Sequence, residues 1–121
     1  MSVFLEVNDS EVLFRGKHFF LIKDRFPVSD GHILIITNEL RKDYFSLTND
    51  ERVELDEMIL KAKEIIESEY SPDGYNIGMN VGEAAGQTVF HFHCHVIPRY
   101  RGDMDNPRGG VRHCVAGKGY Y

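Results

Sequence analysis

In the stretch Val89-Phe90-His91-Phe92-His93-Cys94-His95-Val96-Ile97, imidazoles and apolar side chains alternate without a break from Phe90 to Val96. Successive side chains of a β-strand point to opposite faces, so this order puts His91, His93 and His95 on one face and Phe90, Phe92, Cys94 and Val96 on the other. The pattern predicts a strand from Thr88 to Ile97, closed by Pro98, which cannot donate to a sheet ladder. Alternate residues stand roughly 6.5 Å apart along such a strand, so the histidines form a row able to address successive parts of one ligand. The apolar back needs a covering layer, and the imidazole face needs access to a ligand.

The other segments supply such a fold. Glu11 to Ile22 reads as a hairpin, with Val12 to Phe14 and Phe19 to Ile22 as strand formers on either side of Arg15-Gly16-Lys17. Lys23 to Asp30, which contains Pro27, reads as a loop, and His32 to Thr37 as a well-covered strand with His32 at its mouth. Thr48 and Glu51 make a T-x-x-E capping box that opens a helix running to about Tyr70. Its apolar stripe, Leu55, Met58, Ile59, Ala62, Ile65 and Ile66, is expected to cover a sheet, with lipid or a partner helix as the alternative. Ser71-Pro72-Asp73-Gly74 stops the helix, Tyr75 to Asn80 reads as a strand, and Val81 to Gln87 as a small-residue loop. From Tyr100 the chain is glycine-rich, with Arg101, Arg108, Arg112 and Lys118, and reads as loop or extended cover. The order β-β-β-α-β-β gives an α+β fold, an antiparallel β-sheet with one principal covering helix.

At 121 residues, one domain is expected. Fourteen basic residues against 19 acidic give a net charge of −5, which argues against nucleic acid as a partner but allows a small anion in a locally built pocket. Cys94 and Cys114 are the two cysteines, far apart in sequence, so neither a disulfide scaffold nor a four-cysteine zinc site is expected. No segment approaches the roughly 20 apolar residues that span a bilayer, so the expectation is no membrane association and a cytoplasmic location.

Three chemistries fit a histidine row. The imidazoles can be satisfied one by one by carbonyls or water. They can share a metal such as zinc or copper, although no carboxylate lies within the block to join them. They can also act on a phosphoryl centre, one neutral nitrogen attacking phosphorus while a neighbour donates to the ligand or fixes the attacking tautomer. The loop before the row favours the third, since Gly82 and Gly86 allow close backbone approach and Gln87 and Thr88 supply amide and hydroxyl donors.

The run Asn80 to Ile97, with histidine, apolar, histidine, apolar, histidine and two apolar residues at its end, closely resembles the histidine-triad (HIT) family of nucleotide hydrolases and transferases. Asp24 and Gly31-His32 are similar to that family's nucleoside-side and supporting-histidine positions. The resemblance implies a catalytic domain over residues 1–100, its motif-bearing core at 11–98, and a tail at 101–121 that packs on the same domain or on a dimer partner. It implies that His93 attacks the α-phosphate, that His95 contacts phosphate and bridging oxygen, and that His91, backed by His32, orients the nucleophile. Asn80 and Gln87 are similar to phosphate-side positions and Thr88 to a hydroxyl position. Asp24 would lie near the ribose, and the base among Ile22, Phe26 and Leu34.

The implied function is hydrolysis of dinucleoside polyphosphates or nucleoside phosphoramidates through a nucleotidyl-histidine, releasing a nucleoside monophosphate. A non-catalytic nucleotide-binding module and a histidine-ligated metalloprotein are the alternatives. The resemblance implies a purine nucleotide substrate and a homodimer. It implies no required cofactor and no protein-bound metal, though a divalent cation can accompany the substrate phosphates. The transferase branch carries glutamine where this chain has His95, and the zinc-binding cysteine pair of some members has no counterpart before Cys94. The 101–112 segment is similar to that of bacterial diadenosine-polyphosphate hydrolases, with Arg108 and Arg112 facing distal phosphate, the partner subunit or solvent.

Overall fold

The structure, a computed structural model, describes residues 2–121. The capping box forms as its spacing requires. Thr48 Oγ1 accepts the Glu51 amide at 3.1 Å and the Glu51 carboxylate accepts the Thr48 amide at 2.7 Å, which satisfies two otherwise unpaired donors at the start of helix α1 (Asn49–Glu69). The strands are β1 (Val12–Arg15), β2 (Phe19–Lys23), β3 (Ile33–Thr37), β4 (Gly74–Gly78) and β5 (His93–Arg99). They make one sheet in the order β1-β2-β3-β5-β4, with every neighbouring pair antiparallel. The chain leaves β3, crosses through α1 to the edge strand β4, and returns through the 79–92 loop to insert β5 between them. The strand that carries His93 and His95 therefore has a partner on each side.

Alternation sorts the sheet into two layers. Toward α1 it turns Phe19, Leu21, Ile33, Ile35, Cys94 and Val96, which meet Leu55, Met58, Ala62 and Ile66 in the main core, with Ile59 and Ile65 partly buried beside them. The opposite face carries Phe20, Ile22, Leu34 and Ile36, roofed by Phe4 and Val7 of the N-terminal segment and by Val12. Along β5 burial alternates strictly, with Cys94, Val96 and Pro98 buried and His93, His95 and Ile97 half-buried on the other face.

The limits of β5 differ from the expected Thr88–Ile97. Pairing with β3 begins at Ile36↔His93. One step earlier the Thr37 carbonyl takes a hydrogen bond from His91 Nε2 at 2.8 Å, and the Phe92 amide turns to the Arg41 carbonyl at 2.6 Å. An imidazole stands there in place of a strand amide, so the ladder stops short of His91. At the other end Pro98 lies inside the strand rather than closing it. The last β3 partner is Ile33↔Val96, and the Pro98 carbonyl points away from β4 to accept Ser29 Oγ at 2.6 Å. The missing N–H thus faces a side where β3 has already ended. β4 is likewise shorter and earlier than Tyr75–Asn80. The 101–121 tail is not wholly irregular, since Gly110–Cys114 forms a 3-10 turn that packs against β4. No helix among the described residues is long and apolar enough to cross a membrane.

Candidate functional site

Four histidines converge on the sheet face opposite α1, and their partners determine which nitrogen of each carries the proton. His93 Nδ1 lies 2.9 Å from the His91 carbonyl. A carbonyl can only accept, so neutral His93 holds its proton on Nδ1 and leaves a lone pair on Nε2. His91 is fully buried. Its Nε2–H donates to the Thr37 carbonyl, and its Nδ1 faces Ser2 Oγ at 2.8 Å. The serine hydroxyl donates to that nitrogen while accepting the Phe4 amide at 3.2 Å.

His32 takes the opposite tautomer to His93. The Val28 amide donates to His32 Nδ1 at 3.2 Å, so the proton of neutral His32 is on Nε2, which lies 2.9 Å from His95 Nδ1. His95 therefore accepts on Nδ1 and carries its own proton on Nε2, where it can donate to a ligand. The structure thus places His32 behind His95, not behind His91 as the resemblance implied. The reason is the register: Leu34 pairs with His95, which brings the residue two positions before Leu34 to the flank of that imidazole.

Burial biases His32, His91 and His95 toward the neutral form. The His95 pKa is pushed down to about 4, first by burial and then by the neighbouring His32 and His93, with Asp24 opposing. His32 and His91 are also lowered, mainly by burial, against a raising effect of Asp24 on His32 and of the Thr37 carbonyl on His91. Cys94, fully buried on the α1 side, has its thiol pushed up to about 12 by burial, which suits a core side chain rather than a nucleophile.

A cavity of about 460 Å³ opens before these groups, lined among others by Asp24, Phe26, His32, Leu34, Thr88, His93 and His95, with Ile22 on its floor. Eight of the sequence-predicted site residues therefore share one space. Asp24 Oδ2 sits 3.4 Å from His32 Nε2 and 3.8 Å from His95 Nδ1, while Oδ1 accepts the Phe26 amide at 2.8 Å. Phe26 is exposed at the rim.

Three predicted residues lie elsewhere. Asn80 lines a second cavity of about 930 Å³ with Met79, Gly86, Ile97, Val111 and Val115, which meets the first at His95. The Gln87 side chain is buried in the loop, where Nε2 donates to the Lys42 and Val89 carbonyls at 2.7 and 3.2 Å and Oε1 accepts the Gly82 amide at 2.9 Å. It is fully occupied there and braces the loop instead of facing phosphate. His91 presents its carbonyl to the site while its imidazole is enclosed. Arg108 and Arg112 both stack over the Tyr121 ring at 4.8 Å within the tail.

Asp24, His32 and His95 bring one ligand atom each within 4.8 Å of one another, as a metal site requires. The hydrogen-bond frame opposes that use. With the Val28 amide donating to Nδ1, His32 must hold its proton on Nε2, the nitrogen that a metal would need.

The HIT domain family model matches residues 6–102. The chain belongs to the HIT family.

Among HIT relatives it is 33% identical over 103 residues to a protein of Mycobacterium tuberculosis named AP-4-A phosphorylase, covering 83% of this chain and 53% of that one. It is 35% identical over 95 residues to the asymmetrical bis(5'-nucleosyl)-tetraphosphatase of Schizosaccharomyces pombe, covering 78% and 52%. A solved structure of a HIT family protein from Bacillus anthracis superposes with a TM-score of 0.72 at 36% identity, covering 77% of this chain and 66% of that one. The chain spans about half the length of these two curated relatives.

The HIT motif points to the imidazoles but not to everything that orients them. Ser2, Phe4 and the Val28 amide escaped sequence reasoning. Phe4 packs edge-on against His91 and His93, with ring centroids 5.6 and 4.9 Å apart, and with Val3 and Val7 it walls the 460 Å³ cavity. The apolar spacing of Phe4 and Val7 was the available signal. A backbone amide such as Val28 has no signature in sequence.

Proposed function

We propose that the protein cleaves dinucleoside polyphosphates or nucleoside phosphoramidates at the α-phosphate through a nucleotidyl-His93 intermediate. The observation that carries this reading is the Nδ1–H bond from His93 to the His91 carbonyl, which leaves Nε2 unprotonated at the wall of the 460 Å³ cavity. His93 Nε2 attacks the α-phosphorus, a P–N bond forms and the P–O (or P–N) bond to the leaving group breaks. His95 Nε2–H hydrogen-bonds to the departing atom and stabilises its developing charge while keeping its proton; a phosphate leaves as the anion, and a departing amine takes its proton from solvent. Water then attacks phosphorus and releases a proton to solvent, and the P–N bond to His93 breaks, which frees a nucleoside monophosphate and restores the His93 Nε2 lone pair. Ile22, Leu34 and Phe26 offer an apolar seat for a purine, Asp24 and Thr88 polar contacts to the ribose and phosphate side. The second cavity at His95, with Asn80, gives room for a large leaving group, which favours a two-armed substrate. No protein-bound metal or cofactor takes part, and a divalent cation would enter with the substrate phosphates. A homodimer belongs to the same proposal.

The relative named as a phosphorylase supports a second reading, in which inorganic phosphate replaces water as the acceptor. One experiment tests both. Purified protein is mixed with diadenosine tetraphosphate, with and without inorganic phosphate, and products and intact protein are followed by mass spectrometry. A mass increase of one adenylyl group, lost in His93→Ala, with AMP as product is the expected result. ADP formed only with phosphate present would select phosphorolysis. Turnover by His93→Ala with the adduct retained would sink the nucleophile assignment.

A further inference from the structure

The carbonyl that sets the His93 tautomer belongs to the peptide joining His91 to Phe92, and the other end of that peptide is also held. Its N–H donates to the Arg41 carbonyl at 2.6 Å while its C=O accepts His93 Nδ1–H at 2.9 Å. Rotating this peptide would break both bonds together, so whatever holds Arg41 also decides which His93 nitrogen is free. Arg41 in turn is gripped by Glu51, whose carboxylate oxygens lie 2.9 and 3.1 Å from Arg41 Nε. Glu51 is 1% exposed. A carboxylate so enclosed is costly to desolvate and needs its hydrogen bonds made; besides Arg41 it accepts the Thr48 amide. Burial acts to raise its carboxyl, but the Thr48 amide and the Arg41 guanidinium together outweigh it and hold the carboxyl below the usual range. The next carbonyl, Lys42, receives Gln87 Nε2, so the 41–42 segment braces the 87–92 approach to the nucleophile at two points.

We propose that Arg41 and Glu51, which lie outside the cavity lining, are positioning residues for His93: the buried pair anchors the 41–42 carbonyls, these fix the His91–Phe92 peptide, and that peptide keeps Nε2 free to attack. A capping glutamate alone needs no arginine, and an arginine at the surface needs no buried carboxylate. Their union behind the nucleophile's peptide is the reason for both. The inference rests on His93 as nucleophile for its kinetic consequence, but its structural consequence, the tautomer, stands apart from turnover.

The test compares Arg41→Ala and Glu51→Gln with Thr48→Ala. Glutamine preserves the capping box at this position but removes the charge that grips Arg41, whereas Thr48→Ala weakens the same helix start and leaves Arg41 paired. His93 tautomers are read from imidazole nitrogen shifts by NMR on labelled protein, and turnover is measured on diadenosine tetraphosphate. Arg41→Ala and Glu51→Gln should raise the fraction of His93 protonated on Nε2 and lower kcat on the order of 10- to 100-fold, the scale of a catalytic group displaced by about 1 Å. KM should change little. Thr48→Ala should lower the melting temperature without altering the tautomer. Folded Arg41→Ala with the tautomer of the unsubstituted protein would overturn the inference, as would an equal tautomer shift in Thr48→Ala. An inactive unsubstituted protein would count against the proposed function, while the tautomer comparison would still decide the positioning role.

Discussion

His32 Nε2 stands 2.9 Å from His95 Nδ1, and this contact passes the direction of one backbone amide to the edge of the cavity. The Val28 N–H fixes His32, His32 fixes His95, and His95 is left with a donor on Nε2. On the other side the His91 carbonyl fixes His93 with an acceptor on Nε2. Two chemically identical side chains two residues apart on β5 thus present opposite groups to the cavity, a free lone pair and an N–H hydrogen-bond donor, because different backbone groups stand behind them.

The neutral imidazoles make the fold sensitive to mild acid. The pKa of His95 is lowered from 6.5 to about 4 in the folded chain, and His32 and His91 are lowered too. Below pH 6.5 the unfolded chain gains protons that the folded chain does not take up. Stability is therefore full above that value, falls as the pH drops, and for His95 goes on falling to about pH 4. Urea unfolding at intervals between those limits should show a shallower pH slope for His95→Gln than for the unsubstituted protein. Equal slopes would show that His95 is not held neutral by the fold.

Gln87 should prove to be a loop brace. Gln87→Glu removes both Nε2 donors and sets a carboxylate against the Lys42 and Val89 carbonyls. Two lost hydrogen bonds and two unsatisfied acceptors should cost about 2 kcal/mol or more. Hydrogen exchange should localise the change to residues 82–92, with α1 amides keeping their protection. A variant as stable as the parent would return Gln87 to the ligand side.

The sheet face, the covering helix and the histidine row were all legible in the sequence because each follows from periodicity: two along β5, and steps of three and four along Leu55, Met58, Ala62 and Ile66. What periodicity could not reveal was where β5 begins. That limit depends on a side chain, His91, replacing a backbone donor at Thr37, a tertiary substitution with no local mark. The pairing of His32 with His95 depends on the β3–β5 register, which a single sequence does not specify, and Gln87 looks the same in sequence whether it faces phosphate or its own loop.

The Asp24, His32 and His95 cluster should not retain zinc. Binding there would require His32 to lose its last ring proton or to surrender the Val28 bond. Dialysis against equimolar zinc followed by elemental analysis should leave no stoichiometric metal that His32→Ala then removes. Zinc retained at one per chain and lost in that variant would show that the Val28 bond yields to the metal.

Gly31 connects the helix to the site. It has φ +95°, a region that side chains rarely adopt, and an added Cβ would stand 3.0 Å from Tyr70 Cδ2 and 3.4 Å from Ile66 Cγ2. The next residue is His32, whose carbonyl accepts the Asp24 amide at 3.0 Å. Gly31→Ala should therefore cost roughly 1–3 kcal/mol in backbone strain, and relief by shifting residue 32 would disturb the His95 tautomer. Gly74 provides the control, since a Cβ there meets nothing within 4 Å and its φ lies outside the restricted region. Gly74→Ala should stay within about 0.5 kcal/mol of the parent, as open surface substitutions do. Urea unfolding gives the stabilities, and turnover of diadenosine tetraphosphate gives the functional effect. Gly31→Ala should lose both stability and kcat, and Gly74→Ala neither. If Gly31→Ala lost stability but kept full turnover in the folded fraction, the path from the Ile66 and Tyr70 packing to His32 would be structural only.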